Sequence, residues 1–198
     1  LDQDYDHGFD DETAEWYVKN YGDHPTNRMT VELADLPPDA VVVDVGCGSG
    51  EAVREAALRV TRGRVIGIDP APAMLRFARE LSADHEGQTR IEFREAPAEK
   101  LPLADGTATV VLAINSLHHW QDPDTGLAEV RRVLRPGGWL FLGEEEVDRG
   151  KFGHGEGKMA DPAYVLGLLA GAGFVDVTIR RHADSEVRMY LVAGRTGP

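Results

Sequence analysis

The sequence predicts an α/β protein built on a mostly parallel sheet with helices on both faces. Three observations carry that expectation. Short apolar runs alternate with segments of helical period from Ala40 onward, the pattern of a chain that crosses over between parallel strands. A glycine-rich turn, Gly46-Cys47-Gly48-Ser49-Gly50, leaves the first run directly, where ligand-binding turns sit in such sheets. The last two extended segments are separated only by His182-Ala183-Asp184-Ser185. That is too short for a crossover, so they read as an antiparallel hairpin.

The elements follow in order. Residues 10–21, DDETAEWYVKNY, form a short helix capped near Asp10 or Asp11. A second helix starts at Pro25 and stops before Pro37-Pro38, which cannot continue it. Residues 40–45, AVVVDV, are a continuous apolar run and read as a strand buried on both faces, with a helix over 50–60. Strands at 64–69 and 90–96 flank a helix at 72–83, and a buried strand covers 107–114. Asp122 and Pro123 open the next helix as cap and first helical residue. Pro136-Gly137-Gly138 turns the chain into a strand at 139–144. A helix at 161–173, closed by Gly173, precedes the hairpin strands at 174–181 and 186–195. No repeat or linker interrupts the chain, so a single domain is expected.

The chain has 198 residues and a net charge of −13, an acidity that argues against nucleic-acid or anionic-membrane partners, which are bound mainly through Lys and Arg. One cysteine permits no internal disulfide. No apolar run approaches a membrane span, and residues 1–16 lack the basic start and apolar stretch of a signal peptide. A cytoplasmic location is expected. Residue 1 is Leu, so upstream residues are expected to be missing.

Three ligands compete for the glycine turn. A phosphate loop needs Lys and then Ser or Thr after its last glycine, and Glu51-Ala52 stand there. A dinucleotide fingerprint wants glycine at position 51, and Glu51 would face the pyrophosphate unfavourably. The third ligand is cationic and carries no phosphate at the loop. Asp44 precedes the glycines, whose bare backbone allows close approach. Asp69 closes the second strand, where an acid accepts hydrogen bonds from ribose hydroxyls. S-adenosylmethionine fits that description.

VVVDVGCGSGEAV (41–53) resembles motif I of the class I S-adenosylmethionine-dependent methyltransferases, and VIGIDPAPAML (65–75) resembles their second motif. Residues 96–123 and 127–142, APAEKLPLADGTATVVLAINSLHHWQDP and LAEVRRVLRPGGWLFL, resemble the rest of the type 11, small-molecule branch. The likeness covers Asp39 to Leu142. It implies a Rossmann-like three-layer sandwich, a seven-stranded mostly parallel sheet ending in an antiparallel hairpin strand. Residues 1–38 would form a helical lid over a 39–198 core.

The resemblance further implies that Asp44, Gly46, Cys47 and Gly48 line the methionine part, with Asn115 also on the cofactor. Asp69 would hold the ribose, Pro70 and Met74 would pack near the adenine, and Ala98 and Glu99 would lie at its edge. The family's Gly-Asp-Ala-Glu is here Ala96-Pro97-Ala98-Glu99, so Pro97 replaces the acid that receives the adenine amino group. Plain structural readings stand beside these. Cys47 fills the loop as a small residue, Met74, Leu75 and Phe77 form a core stripe, Asp69 caps the following helix, and Glu99 is a solvated acid.

For an acceptor that must lose a proton, His118 or His119 in NSLHHWQD is the expected base. Trp120 reads as a structural plug. Tyr5, His7, Trp16, Tyr17 and Tyr21 are candidate acceptor contacts from the lid, with Trp16 favoured as an anchor. Glu144, Glu145, Glu146 and Asp148 follow the fifth strand, where they could meet a cationic acceptor, hold a metal with His154, or form a solvated face; their spacing is not that of a metal site and none is assigned. No Asn-Pro-Pro-Tyr follows the fourth strand, and the only cysteine sits in the cofactor loop. A small-molecule acceptor is therefore expected, for a monomer or a dimer. Two alternatives remain: a silent S-adenosylmethionine-binding protein of the same fold, and, at fold level only, a nicotinamide-dependent oxidoreductase.

Overall fold

The structure is a computed structural model and describes residues 10–146, 158–183 and 185–198. Seven strands form one sheet: β1 (Val41–Val45), β2 (Arg64–Asp69), β3 (Ile91–Glu95), β4 (Ala108–Ile114), β5 (Leu134–Glu145), β6 (Val175–Ala183) and β7 (Arg188–Arg195). Their spatial order is β3-β2-β1-β4-β5-β7-β6. β1 through β5 pair in parallel, whereas β7 runs antiparallel to both β5 and β6. The predicted sheet and terminal hairpin are both present.

Among the described residues six α-helices accompany the strands: α1 (Asp11–Tyr21), α2 (Pro25–Leu33), α3 (Glu51–Arg59), α4 (Pro72–Ser82), α5 (Pro123–Val133) and α6 (Pro162–Gly171). Alternate residues of the central strands feed two core layers, as the period of a strand requires. Val43, Val45, Ile66, Val111 and Leu140 pack with Leu127 and Val130 of α5 and with Val165 and Leu169 of α6. Val42, Val65, Val110 and Leu112 face the other way, onto Val31 of α2, Ala52 and Val53 of α3 and Leu75 of α4. Each such valine or leucine, removed from water entirely, contributes about 1.5–3 kcal/mol.

β5 differs from its expected span. Leu134 pairs with Ala108 while Trp139 pairs with Val110, so the strand begins immediately after α5 and Pro136-Gly137-Gly138 bulges out of it. Gly137 at φ +73° supports that bulge. The strand order reverses between β1 and β4, and there the carboxyl-end turns after β1, β2, β4 and β5 gather. α1 joins the same end: Ala14, Tyr17 and Val18 pack on Ala71, Ala73, Met74 and Phe77, and Arg76 meets Asp11 at 2.6 Å. Among the described residues no helix is long and apolar enough to cross a membrane.

Candidate active site

Two acids end the central strands. Asp44 is 2% exposed, and its Oδ1 is buried without a hydrogen-bond partner. Burial, and then the charge of Asp69, push its carboxyl up to about 7. Asp69 is also buried, which raises its pKa. Its Oδ2 accepts from Gly48 N and its Oδ1 from Ala71 N, both at 2.9 Å. Asp69 therefore fastens the glycine turn to the segment entering α4; it is not the helix cap expected, since Ala71 is the N-cap and no side chain caps that helix.

The turn hangs from β2, since Gly46 N and Cys47 N both donate to Ile68 O. Its glycines serve different neighbours. A Cβ on Gly46 (φ +78°) would lie 2.5 Å from Ser116 Cβ, and one on Gly50 would lie 2.9 Å from Phe93 Cζ. Those two are required by protein packing. A Cβ on Gly48 would meet only Met74 Cε, at 3.3 Å, so Gly48 is the glycine that keeps backbone open to a ligand. Cys47 is buried, and burial, followed by the charges of Asp69 and Asp44, pushes its thiol up. It is an inert filler of the loop rather than a nucleophile.

The remaining predicted contacts divide. Met74 is buried against the turn, while Pro70 is exposed beyond β2. Ala98 belongs to the main core, and Glu99 Oε1 accepts from Asp122 N at 2.9 Å. Asn115, at φ +48°, takes Glu145 N on its Oδ1 and donates its own N–H to Gly143 O, each at 2.8 Å. It joins the ends of β4 and β5. Glu51 turns away from the loop: its Oε2 accepts from His24 N (2.9 Å) and Asn27 Nδ2 (2.8 Å) at the entry to α2. Burial, followed by a hydrogen bond with Asp23, pushes Glu51 up to about 7.

Beyond β4 a short 3-10 turn, Leu117–His119, presents both histidines, their rings 4.1 Å apart. His118 Nδ1 lies 3.3 Å from Glu144 Oε2. Glu144, at the end of β5, has a side chain only 9% exposed, and its Oε1 is buried without a partner. Trp120 packs its ring over Gly126 and against the core, as a plug would. Tyr17 spans the two halves: burial raises its pKa first, then Tyr21, Asp69 and Glu144. The Tyr21 ring lies tilted against it, centroids 5.2 Å apart.

Trp16 is not the anchor expected. It is 57% exposed, because the helical period turns it away from the face that Ala14, Tyr17 and Val18 bury. Glu145 faces His24 Nε2 at 3.2 Å, and Glu146 pairs with Arg181 at 2.8 Å. No group of three or more His, Cys, Asp or Glu able to hold a metal occurs among the described residues. Tyr5, His7, Asp148 and His154 lie outside them. The sequence offers Glu144 within an acidic run that could meet a cationic acceptor, but gives no sign of Ser116, whose Oγ donates to Val45 O at 2.8 Å. An i-to-i+26 relation between residues 118 and 144 has no local signal.

Known proteins resemble this arrangement. A 27-O-demethylrifamycin SV methyltransferase of Amycolatopsis mediterranei is 35% identical over 143 residues, covering 70% of this chain and 50% of that protein. A ubiquinone biosynthesis O-methyltransferase of Leptothrix cholodnii is 37% identical over 102 residues, covering 51% of this chain and 42% of that one. The chain thus spans half or less of the length of these curated relatives. Among solved structures, a SAM-dependent methyltransferase from Aquifex aeolicus superposes with a TM-score of 0.70 at 22% identity, over 94% of this chain and 98% of that one, a likeness of fold. Residues 43–142 match the family model described as Methyltransferase domain, and those residues contain the glycine turn, both strand-end acids and the histidine turn; the chain belongs to that family.

Proposed function

We propose that this chain transfers a methyl group from S-adenosylmethionine to a small-molecule acceptor. The observation that carries the reading is Asp44, a buried carboxylate with an unpartnered oxygen beside a second buried acid and a bare-backbone turn. Such a group is costly alone and is relieved by a cation. The residues present fit this cofactor. Asp44 would face its cationic amino-acid part, Gly48 would admit it without a Cβ, and Met74 would border the adenine. Asp69 retains a second acceptor site on each oxygen after its backbone hydrogen bonds and holds the ribose hydroxyls. When bound, S-adenosylmethionine supplies an electrophilic methyl carbon on a sulfonium.

Methyl transfer needs the attacking atom, the carbon and the sulfur in line, and positioning alone is worth roughly 7–11 kcal/mol. Within that geometry His118 is the base. An N–H on His118 Nδ1 would face Glu144 Oε2, 3.3 Å away, and leave Nε2 as the basic atom. Glu144 is its positioning residue. α1, resting on α4 by Tyr17 and Val18, is the lid that excludes water.

Calorimetry tests the cofactor: S-adenosylmethionine and S-adenosylhomocysteine are expected to bind, Asp44→Ala to abolish binding, and NAD not to bind. NAD binding in place of the sulfonium compound would overturn the reading. With an acceptor in hand, His118→Ala is expected to lower turnover by about 10²–10⁴-fold while leaving S-adenosylhomocysteine affinity within about twofold. An equal loss of cofactor affinity would make His118 structural.

A further inference from the structure

We propose that Glu144 recognises the methyl acceptor, and that the acceptor presents a protonated amine to it. The proposal rests on the methyl-transfer reading and deepens it. Glu144 is the acid of β5 that points into the site, 91% buried by its side-chain exposure of 9%. One oxygen is directed at His118; the other is buried and has no donor. A carboxylate oxygen without a donor is a standing cost that a ligand N–H removes.

The charge around it selects the donor. Asp69 from β2 and Glu144 from β5 act together on the Tyr17 hydroxyl, while Glu144, Glu146 and Asp161, the cap of α6, act on Tyr190. Carboxylates from three elements thus converge on one end of the sheet. Among the described cations, Arg181 pairs with Glu146 and, when protonated, His24 with Glu145. A carboxylate acceptor would bring a further like charge, and a neutral alcohol would leave the field uncompensated. An ammonium meets both requirements. Its proton passes to His118 Nε2. The freed nitrogen lone pair then bonds the methyl carbon as the carbon–sulfur bond breaks, and that bond's electron pair stays on sulfur.

Binding decides the matter without turnover. With the protein saturated by S-adenosylhomocysteine, benzylamine, phenethylamine and tyramine are titrated beside benzoate, phenylacetate, benzyl alcohol and 2-phenylethanol. The amines are expected to bind at least about tenfold tighter than the acids and alcohols of matching size. Glu144→Gln is expected to erase that preference, and the neighbouring Glu145→Gln to keep it within about twofold. Should Glu144→Gln not fold, Glu144→Asp, which retracts the charge by one methylene, is expected to weaken the amines selectively. Equal or tighter binding of acids or alcohols, failure of every amine to bind, or a preference that survives Glu144→Gln would overturn the proposal. Failure of S-adenosylhomocysteine itself to bind would instead sink the methyl-transfer reading, and this one with it.

Discussion

Gly46 and Gly48 are two positions apart and answer to different forces. Gly46→Ala places a Cβ within 2.5 Å of Ser116 Cβ at φ +78°, so both strain and overlap oppose it. A destabilisation of about 2–4 kcal/mol is expected from chemical denaturation. Gly48→Ala meets a single flexible methionine end at φ +51° and is expected to cost only about 1–2 kcal/mol, while weakening the cofactor more than tenfold in calorimetry. If Gly48→Ala instead unfolds the protein and binds normally when folded, the division of labour argued for the turn is wrong. Asp44 shows the opposite bias, toward function at the expense of stability. Asp44→Asn removes the buried charge, and the free protein is expected to melt several degrees higher at pH 7.5 while losing the cofactor.

At the scale of elements, the turns and strands that carry period and cap signals were legible. β1, β2 and β4 lie within a residue of their expected ends because continuous apolar runs bounded by acids and glycines leave little choice. The expected span of β5 is six residues short, five at its start and one at its end, since its bulge at Pro136-Gly138 looks like a plain turn until β4 supplies the partner. The glycine turn and its two strand-end acids were legible for the same local reason, a loop and strand ends close in sequence. His118 and Tyr17 were named from the sequence too, but the meeting of His118 with Glu144 was not, because it forms across the sheet. Helix α1 itself is a separable element. Ala14 is fully buried against α4, whereas the Arg76–Asp11 pair is exposed and worth little. Ala14→Arg is expected to undock α1, raising its amide exchange while the rest of the fold melts within a few degrees of wild type. A collapse of the whole transition would show that α1 belongs to the core.

The whole molecule carries these buried acids as a pH dependence. Asp44 and Glu51 are both pushed up to about 7, so the folded state holds protons that the unfolded chain has released. Their stabilising effect is complete below the unfolded carboxylate value near 4 and is lost as pH rises through about 7. The lowered carboxylates, Asp10, Glu92, Asp122 and Glu129, act in the other direction but below the ordinary carboxylate range. Between pH 5 and 8 the raised acids govern, with Asp69 raised in the same direction, and the ligand-free protein is expected to melt lower at pH 8 than at pH 5.5. If Asp44 holds the cofactor as proposed, binding needs it ionised, so the cofactor's stabilisation of the protein is expected to grow over the same interval, with proton release at pH 6. A melting temperature that climbs through the window, or binding without proton release, would contradict it.

Cys47 is the chain's single thiol and is 8% exposed within the turn, which makes the protein its own clock for breathing. A thiol-directed dye can label it at one atom only, and only while the loop is lifted off Ile68. Labelling half-life therefore reports how often that lifting occurs, without any engineered tag, and an occupied turn would be seen as a slowed colour change.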